Sequence, residues 1–168
     1  STPIKASAAS DVYKRQHVFR SLMLAHEIAN HKVFFVCTKE SELAASNIAA
    51  RDYKTVIQQG ELWEDVLALD PDLVINDMLD TPREYMEHLK AANIPVVNFE
   101  DEGPGSVLAD QVVNALYEEP QNETNGKQPE RFLYGHKYFC LRDEFLQAEQ
   151  NAFRPDPKCI CLLYTSDA

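Results

Sequence analysis

Short apolar runs alternate along this chain with stretches whose apolar residues recur at helical spacing, and that alternation limits the fold more than any other feature. Lys32–Cys37 (KVFFVC), Lys54–Ile57, Leu73–Ile75, Val96–Phe99 and the Val112–Val113 pair before Asn114 are continuous runs, as expected of strands buried on both faces of a parallel sheet. Between them, Ser41–Ala50 reads as a helix with Ser41 as N-cap, and Glu61–Leu69 as one that places Leu62, Val66 and Leu69 on a single face. Asp70-Pro71-Asp72 breaks that helix. Thr81 at the N-cap and Pro82 at the first helical position open the next, with Tyr85, Leu89 and Ala92 facing inward and Asn93 closing it. Strand and helix repeat often enough to predict an α/β fold, a Rossmann-like doubly wound parallel sheet. Beyond a polar loop at Glu118–Glu130, Phe132–Gly135 and Tyr138–Leu141 read as extended pieces. Arg142–Glu149 reads as a short helix, Arg154–Pro157 as a linker and Lys158–Leu162 as the opening of a further strand.

The first helical stretch, His17–Asn30, carries Val18, Leu22, Ala25 and Ala29 at the spacing of one buried face, with Ile28 widening it. His17 and Arg20 lie three residues apart and so share one side of its first turn, where backbone N–H groups and the helix dipole favour an anion. In an open parallel sheet the ligand crevice lies beyond the carboxyl ends of the strands. Three stretches converge there: the His17 turn, Asn76-Asp77, and Asn98 to Gly105. Within Glu100-Asp101-Glu102-Gly103-Pro104-Gly105, Glu100 and Glu102 read as a solvated acidic turn. Gly103 and Gly105 frame a tight turn beside the site, and their spacing is no dinucleotide fingerprint, so neither NAD nor another cofactor is expected. Trp63 reads as a packing residue. His26, His31 and His88 lack carboxylate or cysteine partners at ligand spacing and read as structural, and His136 as a loop residue.

A formal net charge of -11 and a pI near 4.8 argue against a nucleic-acid or anionic-membrane partner, both of which call for a basic footprint. No apolar run is long enough for a membrane span and the head has no signal-peptide core, so a cytoplasmic location is expected. Cys37, Cys140, Cys159 and Cys161 form no metal-binding spacing, and free thiols are expected.

The segments HVFRSLMLAHEI, KVFFVCTKE, DLVINDMLD and IPVVNFEDEGPGSVLADQVVNALY together resemble the N-terminal domain of the spore-coat polysaccharide biosynthesis family. That family includes the UDP-sugar hydrolase of pseudaminic acid biosynthesis and is similar to two-domain nucleotide-sugar glycosyltransferases. The likeness runs from about His17 to Leu162. It implies the N-terminal half of a GT-B-type two-domain architecture, with residues 17–157 as the domain and 158–168 as the start of a second domain followed by a non-native tail. Family members carry a strand and a G-x-G turn directly before the histidine; here Asp11–Gln16 stands in that place, so the first strand is expected to be missing. The head, 1–16, and the tail from Leu162 have the character of translated adapter sequence. A second departure is Asp77-Met78-Leu79, where the hydrolase branch reads D-S-Y.

The resemblance implies a nucleotide-sugar enzyme of surface polysaccharide or nonulosonic acid biosynthesis, in which the histidine matching His17 activates water and UDP leaves from a UDP-amino-sugar. Arg20, Asp77, Asp101, Gly103 and Gly105 would contact substrate, and the absent C-terminal domain of the same parent chain would hold most of the nucleotide, leaving this fragment inactive alone. Imidazole chemistry suits the role, since its unperturbed titration lies near neutrality. Two alternatives stay open: a glycosyltransferase using a nucleotide-sugar donor, and a non-catalytic sugar-binding or subunit-contact module.

Overall fold

The computed structural model describes residues 17–117, 130–141 and 147. Helix α1 occupies residues 17–27. It is followed by β1 (Phe34–Cys37), α2 (Glu42–Ala49), β2 (Lys54–Ile57), α3 (Leu62–Leu67), β3 (Val74–Asp77), α4 (Arg83–Ala91), β4 (Val96–Phe99), β5 (Gln111–Asn114) and β6 (Phe132–Tyr134). Every strand pair among the described residues is parallel. Among the described residues β1 and β2 form one sheet, and β3-β4-β5-β6 form a second in sequence order.

Alternation along the strands divides the core into two layers. β1 turns Phe35 and Cys37 toward Leu22 of α1 and Ala45 and Ile48 of α2, while Val36 between them packs on the other layer. There Val66 of α3 and Tyr85, Met86 and Leu89 of α4 cover Val74, Val96 and Val112. Val36 thus belongs to the same core as the four-stranded sheet, although no backbone pairing joins the two sheets among the described residues. Helices on both faces of parallel strands make this the Rossmann-like α/β arrangement that the alternation predicts. The expectation that a first strand before α1 is missing falls on residues 1–16, which lie outside the described ones. So do the expected helix and linker after Leu141, apart from Gln147, and the strand at Lys158–Leu162.

Several local expectations are corrected. α1 ends at residue 27, so Ala29 is exposed in the turn that follows. Ser41 stands at the N-cap of α2 but makes no capping bond; its Oγ meets Thr38 Oγ1 at 3.1 Å. The N-cap of α4 is Pro82, whose carbonyl accepts from Met86 N at 3.3 Å, and not Thr81. Thr81 is instead buried with its backbone engaged on both sides, donating to Asp101 Oδ1 and accepting from Gly105 N. Tyr138 closes a 3-10 turn, His136–Tyr138, where an extended piece was expected. Asn93 does close α4, at φ 58° in the left-handed region that asparagine tolerates. Trp63 packs on the core and stacks on His88, ring centroids 3.9 Å apart.

The loop after β4 lies directly on the segment before α4. A Cβ at Gly103 would stand 2.3 Å from Thr81 N, and one at Gly105 2.7 Å from Thr81 O. These two glycines are therefore required by backbone on backbone contact. At Gly60 the close neighbour among the described residues is the carboxylate end of Glu64, 3.0 Å away on a flexible side chain. Gly103→Ala is expected to lower stability by roughly 1–3 kcal/mol or more through overpacking, and Gly60→Ala by less than about 0.5 kcal/mol, as a surface change. Urea unfolding of the two variants checks the contrast.

Candidate functional site

β3 delivers Asp77 at its carboxyl end, beside Phe99 at the end of β4 in the strand register. On the same side of the sheet, α1 presents His17, Arg20 and Ser21. His17 Nδ1 lies 2.5 Å from Asp77 Oδ1. Arg20 donates from Nε to Asp77 Oδ2 at 2.9 Å and from Nη2 to Oδ1 at 2.5 Å, the two-pronged geometry that a guanidinium and a carboxylate favour. Ser21 Oγ adds a bond to Asp77 Oδ2 at 3.2 Å. The His17–Arg20–Asp77 convergence read from the sequence is thus made by direct contacts, with the side chains of Arg20 and Asp77 only 12% and 10% exposed.

Glu100 completes the cluster, and the sequence reading of it as a solvated turn residue is corrected. It is 2% exposed and takes φ 51°, a left-handed backbone that costs a non-glycine residue energy. That turn brings its carboxylate to Arg20 Nη1 at 3.3 Å, to Ala115 N at 3.1 Å and to Leu116 N at 3.3 Å. Nothing in the sequence marks Glu100 over its neighbours except its place as the first residue after β4. Glu102, by contrast, is exposed as expected.

Asp101, Gly103 and Gly105 fall in the adjoining loop. The Asp101 carboxylate is 1% exposed and accepts from Thr81 N at 3.0 Å, Gly103 N at 2.9 Å and Asn98 Nδ2 at 2.5 Å. Its bonds shape the loop, while those of Asp77 hold the histidine. A buried amide series runs behind both: Tyr85 Oη donates to Asn76 Oδ1, Asn76 Nδ2 to Asn98 Oδ1, and Asp101 N to Asn114 Oδ1.

Electrostatically the two acids of the cluster move in opposite directions. Burial pushes the Asp77 carboxyl up, but the hydrogen bonds from His17 and Arg20 outweigh it and hold the group below the usual aspartate range. At Glu100 burial wins over the bonds from Leu116 and Ala115 and the charge of Arg20, so this carboxyl titrates above the usual glutamate range. Arg20 loses to burial and regains more from Asp77 and Glu100, which keeps it a cation.

Chemically, a carboxylate on Nδ1 fixes the imidazole's tautomer and orientation, so that the basic lone pair of neutral His17 is on Nε2. No protein-family model, curated protein or solved structure matches the chain, and no helix among the described residues is long and apolar enough to cross a membrane.

The opposite shifts predict opposite pH signatures. Asp77 contributes stability that is present above the usual aspartate range and lost as pH falls through its lowered value. Glu100 costs stability as pH rises past the usual glutamate range through its raised value. Asp77→Asn takes from Arg20 its two-pronged partner and leaves it the 3.3 Å contact to Glu100, so it should cost about 1–3 kcal/mol near neutrality and flatten the loss in acid. Glu100→Gln can keep the shorter bond to Ala115 and give up the one to Leu116. It should therefore stay within about 1 kcal/mol of wild type and remove the decline that sets in as pH rises past the usual glutamate range. Urea titrations from acid to neutral pH read both.

Proposed function

We propose that this domain is the N-terminal, GT-B-type half of a nucleotide-sugar enzyme that releases UDP from a UDP-amino-sugar by hydrolysis, with His17 as general base. The single observation that supports the reading most is the His17–Asp77 contact, 2.5 Å between Nδ1 and Oδ1 at the carboxyl end of β3. In this reading His17 Nε2 removes a proton from water as the oxygen attacks the anomeric carbon, the bond to the diphosphate oxygen breaks, and UDP departs. Asp77 steadies the imidazolium that forms. Arg20, bound to both Asp77 and Glu100, holds that carboxylate in place and supplies positive charge close to the leaving group. The Asp101–Gly105 loop forms the neighbouring wall on which the sugar rests, and a C-terminal domain grips the nucleotide.

A second reading, a non-catalytic sugar-binding or subunit-contact module, has one observation in its favour. The charge of Arg20 is met within the chain by two carboxylates, as it would be in a structural brace.

The two readings separate on turnover. In a protein joining this domain to a nucleotide-binding partner domain, His17→Asn should lower the rate of UDP release by about 10²–10⁴ with nucleotide affinity nearly unchanged. Asp77→Asn should lose a comparable factor, since the imidazole is then held in the wrong tautomer. UDP release that depends on an added carbohydrate acceptor would identify a transferase, and full turnover in His17→Asn would reduce the histidine to part of the brace.

A further inference from the structure

One guanidinium connects the buried acid after β4 to the imidazole on α1. Arg20 turns Nε and Nη2 to Asp77, at 2.9 and 2.5 Å, and leaves Nη1 for Glu100 Oε1 at 3.3 Å. Nη2 also stands 3.3 Å from His17 Nδ1, so the arginine charge lies against the ring and opposes the positive charge that a second proton would put there. The Glu100 carboxylate meets the same guanidinium at the nitrogen that Asp77 does not use. Ala115 N and Leu116 N hold it in that position, with the left-handed backbone at φ 51° aiming it.

Besides Arg20, the charged and titratable groups around Glu100 among the described residues are Asp77 on β3, Tyr117 after β5 and Cys140 after β6. Burial raises both the Tyr117 hydroxyl and the Cys140 thiol, so the two stay neutral while an imidazole titrates. Asp77 stays ionised over the same range, since its partners hold it below the usual aspartate values. Glu100 differs from all three: burial lifts its carboxyl toward the imidazole range, where two groups that share a partner titrate as a linked pair.

We infer that Glu100 is a positioning residue for His17 that acts through Arg20: when ionised it offsets the guanidinium charge, so that the His17–Asp77 pair keeps a proton that an unshared arginine would drive off. The inference deepens the reading of His17 as a general base and rests on it for its bearing on catalysis, because a proton taken from water must remain on the imidazole until the leaving group departs.

The test follows the ring C–H resonances of the histidines in the full chain by NMR across the carboxylate and imidazole ranges of pH. Glu100→Gln should move the His17 midpoint to lower pH by about half a unit or more, the effect of one charge removed close by in a poorly solvated setting. Because the two forms differ by a single charge, every other fixed charge enters both alike. Glu102→Gln removes the same charge from an exposed position two residues on and should leave the His17 midpoint within about 0.2 unit, as a solvent-screened change. In the wild type, where no variant has to fold, the His17 resonances should show a second inflection at the pH where the Glu100 carboxyl carbon titrates. A His17 midpoint unmoved or raised in Glu100→Gln, an equal shift in Glu102→Gln, or a Glu100 titration that leaves the His17 resonances untouched would each overturn the proposal. The midpoint is read without substrate, so the two readings fail separately: coupling without UDP release sinks the general-base reading, and UDP release without coupling leaves His17 the base and Glu100 a loop residue.

Discussion

The geometry of the site depends on one buried carboxylate that does not itself touch the histidine. Asp101 collects Thr81 N, Gly103 N and the Asn98 amide onto its two oxygens. These three donors belong to the segment before α4, the loop after β4, and β4 itself. With Asp101 so anchored, the chain just before it must turn sharply, and Glu100 takes up the left-handed backbone that sends its side chain to Arg20 and to the N–H groups after β5. Arg20 in turn fixes Asp77, and Asp77 fixes His17. Without Asp101 the loop would have no cause to hold Glu100 in a strained, desolvated position.

Desolvation is the common currency of these contacts. Asp77 and Glu100 sit near one guanidinium in a poorly solvated setting, yet only Asp77 gains enough from its partners to remain readily ionised. The difference follows from geometry: Asp77 receives two bonds from Arg20 together with those from His17 and Ser21, while Glu100 receives one longer contact from Arg20 and otherwise neutral backbone donors. Removal of one partner of a buried pair leaves an uncompensated charge, which is why such clusters are more sensitive to substitution than exposed ion pairs. Arg83 and Glu87, one turn apart on α4 and more than half exposed, illustrate the exposed kind, worth a fraction of a kcal/mol.

Much of this was legible in the sequence, and for identifiable reasons. VIND, VVNF and VVN are short apolar runs that all reach an asparagine, and the structure aligns Asn76 with Asn98 in register while Asn114 ends β5. The run length and content mark strands, and the topology of parallel sheets then puts their far ends together, which brings Asp77 within reach of the first helix. Glu100 was not legible because three acidic residues stand in succession after β4, and composition gives no sign of which one turns inward. That choice is made by φ at a single residue. Thr81-Pro82 misled for a related reason: the pair suits a helix start in isolation, but tertiary bonds from Asp101 and Gly105 claim the threonine backbone and move the start of α4 by one position.

The stack between Trp63 and His88 has an optical consequence. Trp63 is the chain's single tryptophan, and its indole lies nearly parallel to the imidazole, at 10°, across the contact between α3 and α4. An imidazolium pressed against an indole quenches its emission, whereas a neutral imidazole does so much less. The tryptophan emission of this protein therefore comes from one interhelical contact on the covered face of the sheet. It offers a built-in label for the packing of those two helices that needs no added dye and no engineered residue.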